Sequence, residues 1–318
     1  MRRLILLLLL QLLSLVAGVA EGNTKNNNNW VVLTSASRYW HNYRHGSNVM
    51  SVYQAARSQG GMSDDNILLM LAENYACDPR NPLPGTLYDN AEKTVNLYSC
   101  GSRPDVLGYE LTASKYTSIL HGRHTHSTPL AHRLQSNNQS NVLVYITGHG
   151  NKGFIKFHDT EYYSSEDFAD AFEVMHRLGR YGKLLFIADT CNAESLCLEI
   201  RSPNVVCIAS SSLEENSYSH HGDPDTGMEV IDRFSYELLQ LVMGAQGDRW
   251  RLGGSGPKAS LREVFGRMRL AAPVMRPSIN DPSSLDSWTL SEFLSTPPTT
   301  PPTPTTARFT PTEDVFDL

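Results

Sequence analysis

Two short apolar runs, each ending in a chemically capable side chain, constrain this chain more than anything else in it. Leu184-Leu185-Phe186-Ile187-Ala188 runs without interruption into Asp189-Thr190-Cys191. Val142-Leu143-Val144-Tyr145-Ile146-Thr147 runs in the same way into Gly148-His149-Gly150. Apolar runs of this length that do not alternate read as strands covered on both faces, as in the parallel sheet of an α/β protein. In such sheets ligands collect beyond the C-terminal strand ends, where the loops are free to carry chemistry. As parallel neighbours, these two strands would set His149 and Cys191 facing each other across one crevice. A thiol beside an imidazole is the minimum apparatus for nucleophilic acyl transfer. Either residue alone says little, because a lone cysteine after a buried strand is more often a small core residue.

The rest of the chain frames that pair. It has 318 residues, 40% of them hydrophobic, enough for one large α/β domain. A formal charge of -6 and the lack of a basic patch interleaved with aromatics argue against nucleic acid as a partner. Met1-Arg2-Arg3 followed by the leucine-rich run to Val16 and the small residues Gly18-Val19-Ala20 reads as a secretory signal peptide over 1–20, hence an oxidising compartment. An Asn-rich leader at 21–29 and a Pro/Thr-rich tail at 295–318 lack a periodic apolar face and are expected to be disordered. Between them lies one domain, 30–294. Strands are expected at Trp30–Thr34, Asn66–Leu71 and Val205–Ser210, and helices through Val49–Ala56, Thr112–Leu120, Glu166–Leu178, Met228–Met243 and Leu261–Leu270. The stretch from Ala76 to Gly108 is a long excursion rich in Pro, Gly and Asn, of the kind that is usually functional or partner-bound. His121, His124, His126 and His132 are spaced like metal ligands, but a solvated Ser/Thr-rich loop gives them no framework. Asn138-Gln139-Ser140 is an N-glycosylation sequon. The five cysteines are an odd number, so at least one is free or paired with another chain.

The order of the pair, histidine first and cysteine about forty residues on, is that of the caspase signature. Further stretches carry a closer resemblance: Asn42-Tyr43-Arg44-His45, Leu69-Met70-Leu71-Ala72, Cys77-Asp78-Pro79-Arg80-Asn81-Pro82, Thr147-Gly148-His149-Gly150 with Gly153-Phe154, and Asp189-Thr190-Cys191. In this order they resemble the legumain-like cysteine peptidases (family C13), and within them the catalytic subunit of the GPI transamidase, from about Trp30 to Leu294. The resemblance implies a caspase/legumain-like three-layer α/β sandwich around a mostly parallel sheet. It also implies an activity in the endoplasmic reticulum lumen. Cys191 would attack the attachment-site carbonyl of a precursor bearing a C-terminal signal for a glycosylphosphatidylinositol (GPI) anchor, forming a thioester. The ethanolamine-phosphate amine of a GPI lipid would then resolve it. Many relatives resemble this chain but add a C-terminal membrane helix. The Pro/Thr tail here is similar to the soluble trypanosomatid form, with membrane attachment supplied by partner subunits.

The resemblance also distributes roles. Cys191, His149 and Asn42 would be catalytic, and the backbone amides of Gly150 and Cys191 would hold the oxyanion. Arg44, Ser211 and Asp232 match positions lining the legumain specificity pocket; hydrogen-bonding groups of the framework are the alternative. Cys77 matches a cysteine disulfide-linked to a PIG-T-type subunit, and a GAA-type subunit is a further expected partner. An intrachain Cys77–Cys100 bond remains the alternative. No cofactor is needed for the chemistry. A structural calcium would be held by Asp64, Ile67 and Asp105, although Arg103 stands where a second acid is expected and calcium takes six or more oxygens. Two other functions stay in view: a soluble legumain-like asparaginyl endopeptidase, and a scaffold on an inactive peptidase fold.

Overall fold

The structure is a computed structural model that describes residues 28–98, 104–242 and 259–295. The expected signal peptide, most of the leader and the tail beyond Ser295 lie outside the described residues, as do Cys100 and Arg103. Within the leader, Asn28 and Asn29 are held in place. The Asn28 Oδ1 accepts from the Trp30 indole N–H at 2.8 Å, and Asn29, which is buried, donates to the carbonyls of Glu292 and Ser295 at 2.6 and 2.8 Å. The domain therefore takes in two residues expected to be leader and one, Ser295, expected to be tail.

In chain order the elements are β1 Trp30–Ser35, α1 Tyr43–Gln54, β2 Ile67–Leu71, β3 Val106–Leu107, α2 Ala113–Leu120, β4 Asn141–Thr147, β5 Gly150–Asn151, β6 Phe154–Phe157, β7 Glu161–Ser164, α3 Ser165–Arg177, β8 Lys183–Asp189, β9 Val205–Ala209, β10 Ser219–Asp223, β11 Met228–Asp232, α4 Arg233–Val242, α5 Leu261–Phe265, β12 Val274–Arg276, α6 Ser284–Ser287 and α7 Ser291–Leu294. Seven strands form one sheet in the order β12-β9-β8-β4-β1-β2-β3. All its pairs are parallel except β12 with β9. β1, β2, β4, β8 and β9 are apolar and almost wholly buried because both faces are covered. On one face Leu143, Tyr145, Leu185 and Ile187 pack with Val49, Tyr53, Phe234 and Leu238 of α1 and α4. On the other, Val142, Val144, Leu184 and Phe186 pack with Tyr116, Phe168 and Phe172 of α2 and α3. The fold is thus the expected three-layer α/β arrangement around a mostly parallel sheet.

Local chemistry fixes the helix ends. Ser164 caps α3 by accepting from the Asp167 N–H at 3.1 Å, while Asp167 accepts from the Ser164 N–H at 2.8 Å. A cap of this kind stabilises a helix by about 1 kcal/mol. Where the expectations fail, turn chemistry is the reason. The helix expected over Met228–Met243 begins only at Arg233, because Met228–Asp232 pairs antiparallel with Ser219–Asp223 across Pro224-Asp225-Thr226-Gly227, Gly227 taking φ 68°. Leu261–Leu270 gives only the short α5. The ribbon β5-β6-β7 was hidden in a polar stretch whose strands are two to four residues long.

Candidate active site

The strand order reverses beside β1, which lies between β2 and β4. The crevice beyond the C-terminal ends of β1, β4 and β8 is therefore the topological switch point of the sheet. Register places Thr147 of β4 opposite Asp189 of β8, so His149 and Cys191 each stand two residues beyond paired positions. A close approach locks the two loops: a Cβ on Gly150 would lie 2.4 Å from the Thr190 hydroxyl and 3.3 Å from the Cys191 carbonyl oxygen.

The turn carrying Cys191 is braced on both sides. Thr190 donates its N–H to the Ser210 hydroxyl at 3.1 Å, and its carbonyl accepts from the Ser211 hydroxyl at 2.8 Å. Asn192 adopts a left-handed conformation at φ 53° and donates its N–H to the Glu215 carbonyl at 2.8 Å. Cys191 is a free, half-buried thiol. Lys156 donates its N–H to the His149 carbonyl at 2.8 Å, which makes the facing pair Gly150 and Ile155 one without mutual hydrogen bonds. The Gly150 N–H is consequently directed out of the β5–β6 ladder.

Asn42, wholly buried at the foot of α1, orients the histidine. Its amide nitrogen donates to the Arg38 carbonyl at 2.5 Å, and its Oδ1 lies 2.7 Å from His149 Nε2. With the amide nitrogen committed to a carbonyl, Oδ1 must accept, so Nε2 carries the proton and Nδ1 is the basic nitrogen. The His149 N–H donates to the Ser37 hydroxyl at 3.3 Å. Burial, helped by the Arg44 guanidinium, holds the His149 imidazole below the ordinary histidine range. The ring of His45 meets it edge-on at 5.1 Å. His45 is itself buried, and burial keeps it neutral well below the ordinary value.

The residues expected in a specificity pocket separate into two groups. Arg44 donates through Nε to Asp232 at 3.1 Å and retains some accessible surface. Asp232 is buried beneath it, also accepting from the Asn48 amide at 2.6 Å, and is pushed up to about 7 by burial and then by the Asp189 charge. Ser211 is buried and braces the Cys191 turn, donating to the Thr190 carbonyl at 2.8 Å and accepting from the Ala193 N–H at 3.1 Å. Ser211 and Asp232 are thus both buried and hydrogen-bonded into the framework around the crevice. Asp189 is a buried carboxylate that accepts from the hydroxyls of Ser235, Ser217 and Tyr145 at 2.7, 3.1 and 3.2 Å, and burial raises its pKa. These hydroxyls, with Ser37, Asn48 and Ser210, escaped the sequence reading because isolated serines and asparagines carry no periodic signal.

Cys77 is exposed on a 3₁₀ turn after β2, its thiol sulfur accepting from the Asn74 amide at 3.3 Å, and it is free. Cys197 and Cys207 are buried and joined to each other. Of the positions expected at calcium, Asp64 is engaged by Arg57 at 2.9 Å and by the Tyr53 hydroxyl at 2.6 Å. Asp105 accepts from the Leu69 N–H at 2.8 Å and is raised to about 6, chiefly by burial. Two engaged carboxylates and the Ile67 carbonyl fall short of calcium's six to eight oxygens. Among the described residues no group of three or more His, Cys, Asp or Glu is gathered for a metal, the histidines at 121–132 included. No step at this site is assigned to a metal.

Residues 29–247 match the sequence model of the peptidase C13 family. The chain is similar to the GPI-anchor transamidase of Schizosaccharomyces pombe, 47% identical over 236 residues, 74% of this chain and 61% of that protein. It is similar to the GPI-anchor transamidases of Saccharomyces cerevisiae and Homo sapiens, each 42% identical over 217 residues, 68% of this chain and 53% and 55% of theirs. The chain spans 53–61% of the length of these relatives. A crystal structure of caspase-1 from Spodoptera frugiperda aligns with a TM-score of 0.40 at 10% identity, covering 80% of this chain and 87% of that one.

Proposed function

The chain belongs to the peptidase C13 family, and we propose from that premise that it is the catalytic subunit of a GPI-anchor transamidase. The observation that carries the reading at the site is the chain of hydrogen bonds from the Arg38 carbonyl through Asn42 to His149, beside Cys191. It presents a neutral imidazole with Nδ1 as base, next to a half-buried thiol on a braced turn. His149 takes the Cys191 proton, and the sulfur attacks the attachment-site carbonyl of the precursor. The Gly150 and Cys191 amides hold the oxyanion, each such donor contributing about 3 kcal/mol. The C–N bond breaks, the signal peptide leaves with the proton from His149, and a thioester remains. An incoming amine attacks that thioester, gives its proton to His149, and releases the Cys191 thiolate, which takes the proton back. The product is a new amide, so the cycle needs no oxidant and no cofactor. Preference for an amine over water rests on positioning and water exclusion rather than on thiol reactivity.

The surroundings of this activity belong to the same proposal: the endoplasmic reticulum lumen, a GPI lipid as amine donor, and PIG-T-type and GAA-type partner subunits. Cys77 is free and exposed, which suits a disulfide to a partner in an oxidising compartment. Among the described residues no helix is long and apolar enough to cross a membrane. The test is a cell line whose own catalytic subunit is replaced by this chain. Cys191→Ala and His149→Ala should each abolish surface display of an anchored reporter and leave unprocessed precursor. Cleavage of asparaginyl peptides by the isolated chain, with display unaffected by Cys191→Ala, would favour the endopeptidase instead.

A further inference from the structure

The mouth of the crevice carries a patch that the acyl transfer at Cys191 does not use. The loop after β1 and the 3₁₀ turn Gly108–Glu110 bring Arg38, Tyr39, His41 and Tyr109 together. The Arg38 guanidinium carbon lies 4.1 Å from the centre of the Tyr109 ring and 5.6 Å from that of Tyr39, and Tyr39 stacks on His41 at 6.1 Å with an interplanar angle of 10°. Tyr109 is 77% exposed and Tyr39 48%. Tyr39 is held at φ 70°, which a residue with a Cβ rarely adopts, and local strain of this kind persists where the surroundings enforce it, often at functional sites. Behind the patch, His158 stacks on Tyr109 at 5.9 Å, also with positive φ. His158 is 6% exposed; Nε2 meets the Leu111 carbonyl, and Nδ1 is buried with no hydrogen-bond partner among the described residues. The Nε of Arg38 is likewise buried and unpartnered. The carboxylate paired with Arg38, Glu73, stands at 3.5 Å, the outer limit of a hydrogen bond. The patch is thus a guanidinium that meets Glu73 at one edge, is hydrogen-bonded to Tyr109, and is flanked by two aromatic rings open to solvent.

We propose that this patch binds the headgroup of the incoming amine, a phosphorylated glycan, with sugar C–H faces on Tyr39 and Tyr109 and a phosphate on Arg38. The inference rests on the transamidase reading and adds to it the place where the second substrate is recognised. Aromatic planes beside a guanidinium suit a sugar and a phosphate. A precursor's attachment site, built of small residues, offers neither a sugar face nor a phosphate to such a surface. The location suits the role, because the Arg38 carbonyl holds the amide of Asn42, which in turn holds His149. Arg38 also stands three residues beyond Ser35, which pairs with Thr147, so a headgroup seated on its side chain would lie at the sheet edge that carries His149 and Cys191.

The experiment uses the assembled complex in detergent, carrying Tyr109→Ala or Tyr39→Ala, with two readouts. One is release of the signal peptide from a reporter precursor. The other is amide product with either a phosphoethanolamine-bearing glycan or hydrazine as the amine. The expected result is a loss of about tenfold in transfer to the glycan donor, in keeping with the loss of one aromatic packing face. Signal release and transfer to hydrazine stay near the unsubstituted rates. Equal loss with both amines would overturn the proposal, because the patch would then act on the base or the fold. Loss of signal release would also overturn it, in favour of a peptide site, and full transfer to the glycan donor would overturn it outright. Unsubstituted complex that forms no amide with either amine would instead contradict the transamidase reading itself.

Discussion

Replacing Gly150 with alanine tests the oxyanion geometry at one atom. The added Cβ would lie 2.4 Å from the Thr190 hydroxyl, 2.9 Å from the Phe154 carbonyl oxygen and 3.3 Å from the Cys191 carbonyl oxygen. The Phe154 contact is the hardest to relieve, because that carbonyl belongs to the backbone of β6, which pairs with both β5 and β7. Gly150 must therefore shift, carrying its N–H with it. Overpacking at such a place costs about 1–3 kcal/mol of stability. Losing one preorganised oxyanion donor costs on the order of 100- to 1000-fold in kcat. Three assays on one preparation separate these effects: thermal unfolding, alkylation of Cys191 by iodoacetamide, and amide transfer. Alkylation passes through no oxyanion, so it should persist while transfer collapses. Gly148→Ala is the comparison, since its nearest contacts are the Ser37 hydroxyl at 3.2 Å and the Ala36 Cβ at 3.3 Å, and it should lose less. Gly150→Ala with unreduced transfer would refute the assignment of that amide.

Because burial and Arg44 hold His149 below the ordinary histidine value, its neutral form survives into mildly acid solution, and activity is lost only as pH falls through that lowered pKa. The acid limb of kcat/KM should therefore lie below about pH 6.5, and Arg44→Gln should move it upward; an unmoved limb would show that Arg44 does not act on the base. The Cys197–Cys207 bond closes a loop of sequence separation 10, so Cys197→Ser with Cys207→Ser should cost roughly 2–3 kcal/mol in chemical denaturation, and an unchanged midpoint would remove it from the account. On a non-reducing gel of thiol-blocked complex this chain should migrate with the mass of a second subunit added, and Cys77→Ser should abolish the shift. Migration at its own mass would exclude the intermolecular bond.

The sheet and the dyad were legible in the sequence because they rest on unbroken apolar runs. Leu184–Ala188 and Val142–Ile146 read as strands covered on both faces, and their parallel pairing sets the residues just past their ends at the same sheet edge. The rest depended on turns and isolated polar groups. Pro224-Asp225-Thr226-Gly227 converted the start of an expected helix into β11, and so buried Asp232 under Arg44 instead of presenting it on a helix. Ser211 matches a pocket position by resemblance, whereas the hydrogen bond from its hydroxyl to the Thr190 carbonyl shows only in three dimensions. The pairing of Cys197 with Cys207 needed the register that sets β9 beside β8 and the turn after Cys191. Asn42 came from a motif, whereas the reason it works, an amide fixed by Arg38 so that its oxygen must face His149, is visible only in three dimensions.

The central claim is that Cys191 carries the acyl group, and the direct measurement is to trap it there. The assembled complex is mixed with a precursor peptide in the absence of any amine donor, quenched in acid within the first turnover, digested and read by mass spectrometry. The account predicts the N-terminal part of the precursor as a thioester on the peptide containing Cys191, released by hydroxylamine and absent from Cys191→Ala. An adduct on another residue, or precursor cleavage undiminished in Cys191→Ala, would contradict it.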